Sequence, residues 1–110
     1  MSDQSVINIV TTRCPPPDDA KFNRWYNEVH IPMLMKCKKL QGVERYKLIS
    51  EPASGPAYIA IYHFASLKDY QEFNSGPELA AAGKEMRETW GQKIEIISRL
   101  QYGLIQAWQE

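Results

Sequence analysis

Tyr58-Ile59-Ala60-Ile61-Tyr62-His63-Phe64 (YIAIYHF) is the stretch on which the fold turns. β-Branched and aromatic residues dominate it, and a pleated strand sends successive side chains to opposite faces. Ile59, Ile61 and His63 therefore share one face, while Tyr58, Ala60, Tyr62 and Phe64 share the other. Both faces carry large apolar groups. A sheet of this kind needs cover on both sides.

The segments on either side read outward from this strand. Val6 to Thr12 (VINIVTT) is a second apolar, β-branched run, with Ile7 and Ile9 against Val6 and Val10. Cys14-Pro15-Pro16-Pro17 stops it, because proline has no N–H to give a sheet ladder. Asp18 or Asp19 then caps a helix whose apolar stripe, Phe22, Trp25, Tyr26, Val29 and Met33, recurs at three- and four-residue spacing from about Ala20 to Lys36. Pro32 lies inside this stretch and is expected to kink or end the regular helix near His30 or Ile31.

Gly42 opens the next strand, Val43 to Ser50, and Glu51 to Pro56 is a hairpin-length turn cluster leading into Tyr58. Ser66, with Asp69 three residues on, starts a second helix that Asn74-Ser75-Gly76-Pro77 interrupts. Glu78 to Trp90 resumes it and Gly91 caps it. A last strand runs from about Lys93 to Leu100 and continues in bent form toward Trp108. The order β, α, β, β, α, β is the split βαβ, ferredoxin-like pattern, an α+β fold with a four-stranded antiparallel sheet and two helices on one face. Residues 1–110 read as a single domain.

Two helices cover one face of such a sheet. The apolar second face calls for a twofold partner, so a homodimer is expected, with Trp108 available to pack across it. The competing reading is that these aromatics line a ligand cleft in a monomer.

The composition excludes several classes. The 13 Lys and Arg balance the 13 Asp and Glu, so no electrostatic footprint for nucleic acid or an anionic membrane is present. The basic cluster Lys36, Lys38 and Lys39 reads as the cationic last turn of a helix. Cys14 and Cys37, the only cysteines, have no CxxC or metal spacing, which fits a reducing, cytoplasmic setting. No apolar run is long enough to span a membrane, and no signal-peptide pattern opens the chain. GxGxxG, P-loop, GxSxG, HExxH and EF-hand patterns are all lacking, so neither a nucleotide cofactor nor a dedicated metal site is expected.

His30 is the sharpest candidate for chemistry. An imidazole takes and returns a proton near neutral pH, and a broken helix end aims it into a cleft with Tyr26 one turn back. The plainer alternative is a helix cap or a histidine bonded to backbone. His63 reads as a core histidine or as half of a two-histidine site. Tyr46, Tyr58 and Tyr62 offer phenol donors, or simply pack. Asn8, polar within an apolar strand, needs a partner if buried. Arg45 and Arg99 hold either a substrate carboxylate or, the more ordinary case, a surface ion pair.

Phe22-Asn23-Arg24-Trp25-Tyr26-Asn27-Glu28-Val29-His30-Ile31-Pro32 resembles the first-helix signature of the dimeric α/β-barrel superfamily, above all the "WY…EH…P" pattern of its EthD-like branch. Gly42-Val43-Glu44-Arg45-Tyr46 is similar to that family's second strand, and Phe64-Ala65-Ser66-Leu67-Lys68-Asp69-Tyr70 to its entry to the second helix. The usual proline before the second-strand glycine is Gln41 here. The superfamily spans cofactor-free monooxygenases, isomerases, cyclases, dehydratases, haem-degrading enzymes and many uncharacterised proteins, so fold alone does not choose among them.

The resemblance implies a cofactor-independent enzyme, of isomerase, cyclase, dehydratase or oxygenase type, acting on a small hydrophobic ring compound. His30 and Tyr26 would be catalytic, and Asn8, Tyr46, Tyr62 and His63 would bind substrate. A non-catalytic, ligand-binding or stress-related dimer and a haem-binding member stand as alternatives.

Overall fold

In the computed structural model, residues 4–50 and 57–110 are described. The expected hairpin turn at Glu51 to Pro56 lies outside them. Strand β1 is Val6–Arg13, followed by a 3-10 turn at Pro16–Asp18 and helix α1 at Asp19–Trp25. A π-helical turn, Tyr26–His30, joins α1 to α2, Ile31–Leu34. Then come β2 (Leu40–Lys47), β3 (Ala57–Phe64), α3 (Leu67–Asn74), α4 (Pro77–Trp90) and β4 (Glu95–Gly103). All pairings are antiparallel and the sheet order is β2-β3-β1-β4, the ferredoxin-like arrangement.

Pro32, expected to kink or end the regular helix near His30 or Ile31, follows a π turn at Tyr26–His30 that interrupts the regular α-helix, and the helical segment itself does not end there. Pro32 has no N–H to donate and its ring would press on the carbonyl four residues back. A widened turn removes the conflict: the Ile31 N–H donates to the Tyr26 carbonyl, five residues earlier, and helical backbone continues to Leu34. His30 therefore sits inside a continuous helical segment at a π turn, not at a loose end.

The second helical segment follows the sequence closely. The Ser66 hydroxyl accepts the Asp69 N–H at 3.1 Å, and Pro77 starts a fresh helix after the break. Leu79, Ala82, Met86 and Trp90 recur at helical spacing as the inward stripe of α4. Gly91 ends it at φ 59° and ψ −123°, a region that only glycine occupies cheaply. Lys39 lies beyond the helix and not in its last turn, and it bridges Asp69 at 3.5 Å and Glu72 at 3.2 Å on α3.

The core lies between the helices and one sheet face. Phe22 is wholly buried at its centre, ringed by Trp25, Tyr26, Tyr58 and Trp90 with centroids 5.5–6.1 Å away. Tyr58, Ala60, Tyr62 and Phe64 of β3 face this core, beside Val6, Asn8, Val10 and Thr12 of β1. The other face shows Ile7, Ile9, Ile59 and Ile61, flanked on β4 by half-exposed Leu100 and Tyr102. Beyond the sheet, Ile105 and Trp108 project into solvent, 95% and 79% exposed. Among the described residues, no helix is long and apolar enough to cross a membrane.

Candidate functional site

A cavity of about 100 Å³ opens between the sheet's core face and the helices. The π turn supplies Tyr26 and His30, β1 supplies Asn8, Val10 and Thr12, and β3 supplies Tyr62. Arg99 of β4 and Asn74 at the end of α3 stand on its lining as further polar groups. Leu34, Phe73, Leu79 and Met86 make the rest of the wall apolar.

His30 is 7% exposed and is clamped between rings. Trp25 stacks on it with centroids 4.9 Å apart and planes at 27°, and Tyr26 meets it edge-on at 4.9 Å. The Trp25 Nε1–H donates to Glu85 Oε1 at 2.9 Å, which holds the indole in place behind the imidazole. Burial pushes the His30 pKa down to about 4, against a weaker upward pull from Glu85, so the ring is neutral at pH 7. Its Nδ1 is buried with no hydrogen-bond partner among the described residues. Nδ1 thus makes neither the cap nor the backbone bond weighed for this histidine from sequence. A buried, unpartnered ring nitrogen costs about 1–3 kcal/mol and gives the fold nothing in return.

The hydroxyls of Tyr26 and Tyr62 are 2.6 Å apart. One O–H donates to the other, and the second O–H is left to donate to whatever enters. Burial raises both phenol pKa values, so both stay protonated donors at neutral pH. Arg45 lies on the Tyr26 ring, its Cζ 4.2 Å from the centroid. Its Nη1 donates to Asn27 Oδ1 and its Nη2 to Asn23 Oδ1, each at 2.9 Å. Two neutral amides thus hold this cation, in place of the surface ion pair or substrate carboxylate weighed from sequence. Tyr58 donates to Asp19 on the same side of the molecule, outside the cavity. Asn8 has the partner that its burial requires: Gln101 Nε2 donates to its Oδ1 at 2.9 Å.

Four of the six residues expected at a site are brought together here: Asn8, Tyr26, His30 and Tyr62. Tyr46 and His63 are not. Tyr46 pairs with Ile59 and His63 with Ile7 and Gly42, all on the sheet face away from the helices. His63 Nε2 meets Glu44 Oε1 at 2.6 Å there, so the two-histidine site does not form. Thr12 and Asn74 are cavity residues that sequence reasoning did not name, while Arg99, weighed from sequence as holding a substrate carboxylate or a surface ion pair, lines the cavity as well. For Thr12 the alternation along β1 was signal enough, since it shares the parity of Asn8. A bulge sets the face that Arg99 takes: Thr11 pairs with Ser98 but Thr12 with Ile96, so Ile96 and Arg99 share a face despite their odd spacing.

These features define a ferredoxin-like α+β chain with a small, mostly apolar cavity under its helices and a neutral histidine in the wall. Residues 5–102 match the family described as a domain of unknown function, DUF4286, and the chain belongs to that family. No curated protein matches the sequence. Among solved structures, an ethyl tert-butyl ether (EthD) family protein from Bacillus halodurans is similar, with TM-score 0.67 and 16% identity over 88% of this chain and 96% of that one. The hydroxynitrile lyase of Passiflora edulis aligns with TM-score 0.70 and 16% identity over 96% and 98% of the two chains. A dimeric protein of ferredoxin-like fold from Bacteroides fragilis aligns with TM-score 0.64 and 20% identity over 94% and 100%. At such identities the likeness is one of fold.

Proposed function

We propose that this chain is a cofactor-independent acid–base enzyme acting on a small ring compound, with His30 as the proton-transfer group. The observation that carries the reading is the neutral imidazole set in a cavity wall beside a phenol pair. In the proposed step, His30 takes a proton from a carbon next to a carbonyl and the free phenol O–H hydrogen-bonds the enolate oxygen. The imidazolium then returns the proton at another atom, and no oxidant is needed. Asn8, held by Gln101, orients the ring. Tyr46 and His63 have no part in this step.

The working unit in this reading is a homodimer. The isoleucine-rich outer face supports it, since an exposed sheet face of this kind needs cover. Similar structures described as dimeric ferredoxin-like proteins support it as well. A single domain with a cytoplasmic setting completes the proposal.

Deuterium exchange tests the chemistry without knowledge of the full reaction. Small cyclic ketones and lactones are incubated with the protein in D2O and their α-protons are followed by NMR. Exchange with at least one compound is expected, falling by about 100-fold or more in His30→Gln and about 10-fold in Tyr62→Phe. Exchange at the wild-type rate in His30→Gln would sink the assignment. One observation favours a binding-only protein: an imidazole with a pKa of about 4 is a weak base. Tight binding of a ring compound, with none of the panel exchanging, would decide for that reading.

A further inference from the structure

Among the described residues, the cavity wall carries one formal charge. His30 is neutral at pH 7, the phenols are protonated, and no described Asp or Glu lines the space. Arg99 alone brings a full charge to the lining, from an exposed position on β4 at the edge of the sheet. Among the described residues no carboxylate lies within ion-pair distance of it. Arg45 adds a second positive charge behind Tyr26, held there by amides. The Glu85 carboxylate acts electrostatically on His30, and its two oxygens are taken by the Trp25 N–H at 2.9 Å and the Thr89 hydroxyl at 2.5 Å. The potential inside is therefore set by arginine.

Size limits the guest. The space of about 100 Å³ is smaller than the roughly 150 Å³ engineered cavity of another protein that takes benzene. One five- or six-membered ring fills it, and any charged substituent has to stay at the mouth. We infer that the cavity selects a small ring compound bearing one carboxylate, with the ring against Leu34, Leu79 and Met86 and the carboxylate held by the Arg99 guanidinium. Arg99 is on this account a specificity residue, not a proton carrier. The inference rests on the cavity being the site of function, and it adds the class of molecule taken there. An anion beside His30 also favours its protonated form, which makes the imidazole a stronger base once the ligand is bound.

Benzoate and benzamide have the same shape and differ in charge, so calorimetric titration of both at pH 7.5 and low salt tests the claim. Wild type is expected to bind benzoate about 10-fold or more tighter than benzamide. Arg99→Gln, at an exposed position that leaves the core untouched, should bring the two within about 3-fold by weakening benzoate alone. Equal affinities in wild type, or a preference that survives Arg99→Gln, would overturn the charge claim and leave the cavity reading standing. Val10→Phe, which fills the cavity, should abolish both. Benzoate binding that persists in a folded Val10→Phe puts the anion elsewhere and overturns the inference. Failure of both probes to bind wild type would overturn the cavity reading itself.

Discussion

Acidification should unfold this protein partly through one histidine. His30 has its pKa lowered from 6.5 to about 4 in the folded chain, because the proton's charge would be buried between Trp25 and Tyr26. In the unfolded chain the imidazole titrates at its ordinary value. Above pH 6.5 both states are neutral and the full stability is present. Below it the unfolded chain binds a proton that the folded one refuses, so stability falls until the folded histidine titrates near pH 4. Linkage makes the loss about 2 kcal/mol by pH 5 and about 3 kcal/mol by pH 4. Carboxylates titrate at the lower end of this window too, so His30→Gln, which cannot take the proton, serves as the reference. Urea unfolding of both proteins is measured from pH 8 to pH 4 at one protein concentration. The wild-type-minus-variant difference should be flat above pH 7 and fall by about 1 kcal/mol per pH unit between pH 6 and pH 4. A difference curve that stays flat to pH 4 would refute the buried, neutral histidine.

Tyr26→Phe and Tyr62→Phe should each cost about 1–3 kcal/mol, because each leaves the other hydroxyl buried without its 2.6 Å partner; the double variant should cost clearly less than the sum, as a thermodynamic cycle by chemical denaturation will show. Ile61→Lys, on the outer sheet face, should shift the mass seen by light scattering from twice the chain to one chain, and an unchanged dimer mass would count against that face as the interface. Gly91→Ala should lower stability by about 1–3 kcal/mol through its positive φ, measured by thermal unfolding, although a Cβ there meets no neighbour. Haemin titration should give no ligated Soret band, since a porphyrin greatly exceeds a space of about 100 Å³ and His63 lies on the opposite sheet face.

Much of the architecture was legible in the chain, and the limits have physical causes. Period-two alternation in YIAIYHF, the Ser66 cap and Gly91 are local signals, and each produced the element that it announces. Alternation also sorted Tyr62 from His63. With both sets apolar, however, it does not say which set meets the helices, so His63 and Tyr46 were grouped with a site that they do not reach. The π turn was hidden because a proline's effect depends on whether the backbone can re-register its hydrogen bonds, and propensity carries no sign of that. The bulge in β4 depends on pairing between residues far apart in the chain, so the sheet face that Arg99 takes was not legible locally. Local chemistry pointed to His30 and Tyr26, while register decided what stands opposite them.

The chain has only two histidines, one on each side of the sheet, and this makes the most direct measurement simple. With histidine labelled in the imidazole ring, benzoate is titrated in at pH 7.5 and both side chains are followed by NMR. The account predicts that the His30 signals move with saturable dependence on benzoate, while the His63 signals, on the other sheet face, do not. Movement of His63 alone, or of neither ring at saturating benzoate, would contradict it.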